Sequence, residues 1–590
     1  MRRFLPALLL TLAPAGLLRA QVPDSARADS VRADTVDATE RLLASEAAAR
    51  QGVPGVPFLG VEGPRPAGTV QVWTRDSIDW SSAETLGELL LRVPGLFLVR
   101  GGWLGRPELP NYLGRGPGAI EYFLDGLPYE PLGPDSTAVD AATLGLSFLE
   151  RVEVERAPGT LRVHLFTRRH DLAAPLSRLG ISSGDRDFAR YEGLITRRGK
   201  RGLGFALGAE VFDVPDPGLP AGYQHSQYWG QVSWVPHPDR GLLLQLVGAA
   251  PKRDPLVAGA DTLTRGLDGS RRDVQLRGFL SRGAAPRSTR VDLLLGRSSW
   301  DDDTVAQRHD VGAVSVEHRA PRYLLGGTAQ LRSGWTTADL RGRGGWTGGP
   351  LTLSAEGGWQ RHRADRSSRW VQGQAGVALP GGLAARVEGR LGSLVTAPAI
   401  DAMAAQSVAD FAGYLAWNRP WLAAEAGVAR LEGVRFPGYA PFPAVDSIAP
   451  LDATWLTGEA HLRPAPWLTV EGTVGVPMGD GPEGRPPFHG TGAVTLRSRF
   501  LRQFPSGILD LKLQLAGEAW DDGVLGHRPD GSPVAIVSNA LTRLAVELQL
   551  GRFQAYYHRT NLLGREIEFV PGAGLPTYGT TFGVRWEFLN

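Results

Sequence analysis

The chain has 590 residues, no cysteine, and 63 basic against 61 acidic residues. It is long enough for two or more domains, it cannot be held by disulfides or build a thiolate metal site, and its balanced charge argues against a nucleic-acid binder with a one-signed surface.

The first residues, "MRRFLPALLLTLAPAGLLRAQ", place two arginines before an apolar run that ends at Ala20. This is the pattern of a secretory signal peptide, residues 1–20. No later segment reaches the roughly 18 unbroken apolar residues that a membrane-spanning helix needs. A membrane location would therefore have to be reached by strands. Residues 21–68 are polar and Ala-rich and then Pro/Gly-rich, the composition of an extended linker.

Residues 69–172 read as a small mixed α/β domain. "TVQVW" is a strand, and Ser81 with Glu84 forms a capping-box pattern that opens a helix through Leu86, Leu89 and Leu90, ended by Pro94-Gly95. A strand and turn follow in "LFLVRGG". "AIEYFLDGLPYEP" reads as two strands about Asp125-Gly126, a hairpin signal, and "LERVEVERAPG" alternates before breaking at Pro158-Gly159.

From about Ser177 to the end, short alternating segments are separated by turn residues. Leu509, Leu511, Leu513 and Leu515 share one face, with Asp510, Lys512, Gln514 and Glu518 on the other. Tyr578, Thr580, Phe582, Val584, Trp586 and Phe588 repeat the pattern against Thr581, Gly583, Arg585 and Glu587. A soluble β-sandwich alternates in the same way. Two features favour a transmembrane antiparallel barrel over residues 173–590. The run gives about 22 strands without an internal repeat, and its connections alternate between tight turns such as "PHPDRG" and longer loops such as 436–450 and 521–537. A sheet in lipid must close to pair its backbone, and at this size the lumen is either a pore or carries a plug.

The ordered set "TLGELLLRVPGLFLVRGG", "YLGRGPGAIEYFLDGLPY", "LERVEVERAPG" and "TLRVHLFTRR" resembles the plug domain of TonB-dependent outer-membrane receptors. The segment "YYHRTNLLGREIEFVPGAG" followed by "TTFGVRWEF" is similar to the closing strands of that family. The chain departs from the pattern where "RAPGTLRVHLF" passes directly into the last plug strand. The resemblance implies a mainly β fold, an N-terminal mixed α/β plug inside the lumen of the barrel, and residence in the outer membrane of a Gram-negative-type bacterium. It also implies assembly by the barrel assembly machinery, contact with outer-membrane lipid, and active uptake of a scarce siderophore, cobalamin, metal chelate or glycan.

On the same resemblance, ligand contacts are expected at the plug apex from Arg100, Trp103, Arg115 and Tyr129. Tyr439, Phe442 and Trp520 of the outer loops suit a ring-bearing or sugar ligand by stacking. Asp34, Thr35, Val36 and Asp37 are the candidate handle for the TonB energy-transducing complex, which would join its partner as an added strand.

Other motifs read as structure. "GDGPEG" at Gly479–Gly484 is interrupted by Pro482 and reads as an outer loop, and Asp301–Asp303 as a solvated acidic turn. His164, His225, His309 and His527 read as surface or lumen residues. No cofactor, metal site, catalytic residue or nucleic-acid partner is expected. Two alternatives to transport stay open: a receptor-derived barrel with a binding or structural role and no energised transport, and a barrel hydrolase with nucleophile and base on neighbouring strands.

Overall fold

The structure, a computed structural model, describes residues 53–61, 63–134, 137–169, 174–199, 201–215, 222–258, 261–284 and 286–589. The expected signal segment 1–20 and the handle Asp34–Asp37 lie outside the described residues.

Twenty-two antiparallel strands form a closed barrel, with Leu267–Asp268 the kinked start of the strand Ser270–Ala284. The ring is sealed where Gly579–Leu589 pairs with Leu176–Gly184, Val584 lying opposite Ile181. The reason for closure is backbone chemistry: in hydrocarbon an unpaired N–H or C=O costs several kcal/mol, and a ring leaves no edge. Side chains divide by parity as the sequence pattern requires. Along Leu509–Trp520, Leu513 and Leu515 are exposed on the outer face while Asp510, Lys512, Gln514 and Glu518 are buried on the lumen side. In the last strand Phe582 and Trp586 point outward and Thr581 is buried within. Among the described residues no helix is long and apolar enough to cross a membrane.

One rim carries tight turns and the other carries the long connections, including 432–452, 478–488, 521–538 and 561–578. In barrels of this kind the short turns face the periplasm and the long loops the exterior.

Inside lies a small mixed domain. Its strands and helices are β1 (Val70–Thr74), α1 (Arg75–Asp79), α2 (Leu86–Leu90), β2 (Leu96–Arg100), β3 (Glu108–Tyr112), β4 (Ile120–Leu124), β5 (Leu127–Pro128), β6 (Leu149–Ala157) and β7 (Thr160–Thr167). Five of these strands form one sheet in the order β1-β6-β7-β4-β5, with β4 and β7 parallel and β2–β3 a separate hairpin. The β4–β5 turn is Asp125-Gly126, both at positive φ, as a two-residue hairpin with this pair of residues requires.

The two faces of β6 show why the domain sits in a lumen. Val152 and Val154 join Leu86, Leu89, Leu98 and Phe148 in the plug core, while Glu153 and Glu155 turn to the segment that precedes β1. Glu153 accepts a bond from the Val61 amide at 2.7 Å, and Glu155 pairs with Arg65.

The helix start differs from the sequence expectation. Ser81 ends α1, its hydroxyl donating to the Ile78 carbonyl at 2.7 Å. The cap of α2 is Thr85, whose hydroxyl accepts from the Glu88 amide at 3.2 Å, with Glu88 accepting in turn from the Glu84 amide at 2.9 Å. The Ser81–Glu84 pair and the Thr85–Glu88 pair both have capping-box spacing; the second wins because it stands directly before the buried Leu86.

Candidate functional site: the plug apex, the outer loops and the seam beneath them

The β2–β3 hairpin raises Phe97, Val99 and Leu109 toward the long-loop rim, and the outer loops close over them. Phe436–Pro437, Ser447–Ile448, Gly523–His527 and Pro533–Ile536 form a four-stranded sheet across the mouth. Its underside buries Tyr439, Phe442, Val445 and Leu525 against the hairpin, with Ile567 and Phe569 from the last loop. Phe442 is 0 % exposed and Trp520 2 %, and the Trp520 ring stacks on Phe569 at 4.6 Å. The loops thus own an apolar core and form a lid. Aromatic surface buried in this way stabilises the closed arrangement by about 1.5–3 kcal/mol per large side chain.

A strap, Met478–Phe488, passes under the lid. Asn111 donates to the Gly484 carbonyl at 2.8 Å, and Tyr439 donates to the same oxygen at 3.2 Å. Arg485 donates to the Gly95 carbonyl at 2.6 Å and lies 4.2 Å above the Trp455 ring. Burial pushes the Arg485 guanidinium down to about 9.

The other expected contact residues are held by the wall. Arg100 pairs with Glu518 at 3.0 Å, and Glu518 also bonds His489 at 3.1 Å. Arg115 pairs with Asp410, and the Tyr129 ring lies 3.5 Å under Arg271. Trp103 packs with the cluster of Phe188, Phe212 and Tyr223 and against Gly579. Of the seven residues expected at the ligand, Arg100 and Trp103 share one cavity, Tyr439, Phe442 and Trp520 share the lid core, and Arg115 and Tyr129 sit apart against other strands.

That cavity, about 460 Å³, is a seam between the plug and one sector of the wall. On the plug side it is bounded by Ser82, Glu84, Glu88, Arg100, Trp103 and Glu108. On the wall side it rises from Asn418 and Ala423 near the short turns, past Glu471, Thr473, Thr491 and Ala493, to Glu518 and Leu575 under the lid. Glu88 pairs with Arg543 at 2.9 Å across it. Glu108 accepts from the Thr85 hydroxyl at 2.6 Å, and burial together with the neighbouring Glu88 charge pushes its carboxyl up to about 8. Arg190 and His558 hold the Glu84 carboxyl far below the usual carboxylate range against the cost of burial. Glu108, Glu88 and Arg543 were not singled out from sequence; only the inward parity of Gln514 and Glu518 on their strand pointed toward this sector.

Asp302 uses its carboxylate to close a turn, accepting from the Thr304 and Val305 amides at 2.7 Å each. "GDGPEG" belongs to the strap, with Gly479 and Gly484 at positive φ. Among the described residues, no group of three or more His, Asp or Glu side chains converges on a cation position.

Fold and site together define a plugged transmembrane β-barrel of the outer membrane. Residues 65–164 match the TonB-dependent receptor plug domain family, and the chain carries that domain inside its 22-stranded barrel. No curated protein matches the sequence significantly. Solved structures share the architecture at low identity. The siderophore receptor PirA from Acinetobacter baumannii has a TM-score of 0.68 at 10 % identity, over 88 % of this chain and 98 % of its own. A ferric enterobactin receptor (PfeA) mutant from Pseudomonas aeruginosa in complex with enterobactin has a TM-score of 0.67 at 11 % identity, over 89 % of this chain and 100 % of its own. The FrpB iron transporter from Neisseria meningitidis has a TM-score of 0.66 at 10 % identity, over 89 % and 100 %.

Proposed function

We propose that this protein is a TonB-dependent receptor that takes up a scarce ligand across the outer membrane, with ferric siderophore-type chelates the first class to test. The observation that carries the reading is the plug itself: a domain matching the TonB-dependent receptor plug is seated in the lumen of a barrel too wide for its own side chains to fill. A plugged barrel cannot pass a chelate by simple diffusion, and the outer membrane offers no nucleotide to drive movement. Work has to arrive mechanically from the periplasmic side, through the segment that precedes β1. The names of the structural neighbours, iron and siderophore receptors, support the ligand class.

Deletion of residues 22–45 tests the energised step. Uptake of radiolabelled ferric enterobactin and ferric citrate by cells should stop, while binding of the same chelates to isolated outer membranes persists. If uptake continues at the wild-type rate after deletion, the barrel binds or permits passage without an energised pull.

A further inference from the structure

The plug is bonded to the wall all round, but only one sector of the wall leaves room beside it. On one side, Asp125 accepts from Gln245 at 2.8 Å, Glu130 bonds His309 at 2.5 Å and Arg332 at 3.3 Å, and Arg162 pairs with Glu356 at 2.6 Å. These bonds are buried or half-buried, and breaking one partner of such a pair strands a charge. On the other side, strands Leu468–Pro477, His489–Ser498 and Leu509–Trp520 present small lumen-facing residues in register: Thr473 opposite Thr491, and Ala493 opposite Ala516. Thr473 and Thr491 bond each other at 2.8 Å. Here the plug reaches the wall through longer side chains, Ser82 to Gln514 at 2.8 Å, Lys512 to the Trp80 carbonyl at 2.6 Å and Glu88 to Arg543 at 2.9 Å, and the seam of about 460 Å³ lies between these contacts and the small residues. At roughly 30 Å³ per molecule, this is space for some fifteen waters.

The two ends of the seam differ. Toward the short turns, the side chains of His461 and Glu459 are 52 % and 34 % exposed. Toward the long loops, Arg100 and Glu518 are paired with 3 % and 7 % of their side chains exposed, beneath Leu575 and beside Trp103. We infer that the seam is a preformed passage for small polar solutes past a plug that stays in the barrel, open to the periplasm and stopped on the outer side by the Arg100–Glu518 pair. The uptake reading enters only in what cargo would use the route.

The test needs neither ligand nor energy. Purified wild-type protein and its Glu518→Gln variant are inserted in planar lipid bilayers in potassium chloride. The variant should conduct about threefold or more above wild type, and adding Ala493→Trp should return the current to the wild-type level. No rise, or a rise that Ala493→Trp leaves in place, overturns the passage. A second measurement leaves the gate intact: the chain has no native cysteine, so single Ala493→Cys and Gln245→Cys variants report access directly. Methanethiosulfonate ethylsulfonate should label the first roughly tenfold faster than the second, because a thiolate facing a wet seam reacts and one under a bonded plug does not. Equal rates overturn the inference. Either failure leaves the deletion test of uptake untouched, and loss of the uptake reading leaves these two measurements standing.

Discussion

Glu108 carries a pH dependence whose sign follows from its surroundings. Its carboxyl is pushed up to about 8 by burial and by Glu88, against an ordinary value of 4.5. The folded plug therefore holds a proton there that the unfolded chain gives up, and stability falls as pH rises between those values, by roughly 1.4 kcal/mol per unit at most. Below about 4.5 the group contributes nothing to the slope. Hydrogen exchange of the β2–β3 amides, corrected for intrinsic rates, should show protection dropping from pH 5 to pH 8 in the wild type. Glu108→Gln should flatten that fall. A slope unchanged by the substitution would assign the titration to another group.

At the scale of single elements, two substitutions separate local from tertiary control. Thr85→Ala removes the hydroxyl that accepts from the Glu88 amide and should cost the plug about 1 kcal/mol, measured as the shift in its urea transition. Ser81→Ala should not reproduce a helix-cap loss, because that hydroxyl serves the end of α1. Phe442→Ala leaves a void in the lid core and should cost the lid about 3–5 kcal/mol, visible as faster proteolysis within 432–452 while the barrel strands stay protected. Much of this level was legible in the sequence. The Asp125-Gly126 turn, the β6 alternation and the helix through Leu86–Leu90 depend on neighbours a few residues away. The lid was not legible. Tyr439, Phe442 and Trp520 looked like surface that could stack on a ligand, and what covers them here is Val445, Leu525 and Phe569, brought together from three separate loops. Local pattern cannot show that meeting.

For the whole molecule, parity was the strongest signal, since a period of two fixes which side chains share a face of the strand. Leu515, at mid-strand and 47 % exposed, lies on the outer face of the barrel. Leu515→Arg should cost about 2–4 kcal/mol of barrel stability in a denaturant titration in lipid vesicles, and Ala516→Ser on the lumen side should cost little. The charged bonds between plug and wall were beyond reach of the sequence, because their partners, such as Arg162 with Glu356, lie nearly two hundred positions apart.

The sheet order β1-β6-β7-β4-β5 has a mechanical meaning. β1 is both the first described strand and the border of the sheet, joined along one flank by the pairs Val70 with Glu155 through Thr74 with Arg151. Under the proposed pull from the N-terminal side, these few rungs are the first of the sheet to bear load. The other four strands pair among themselves without β1, so the sheet has a core that does not depend on its border strand.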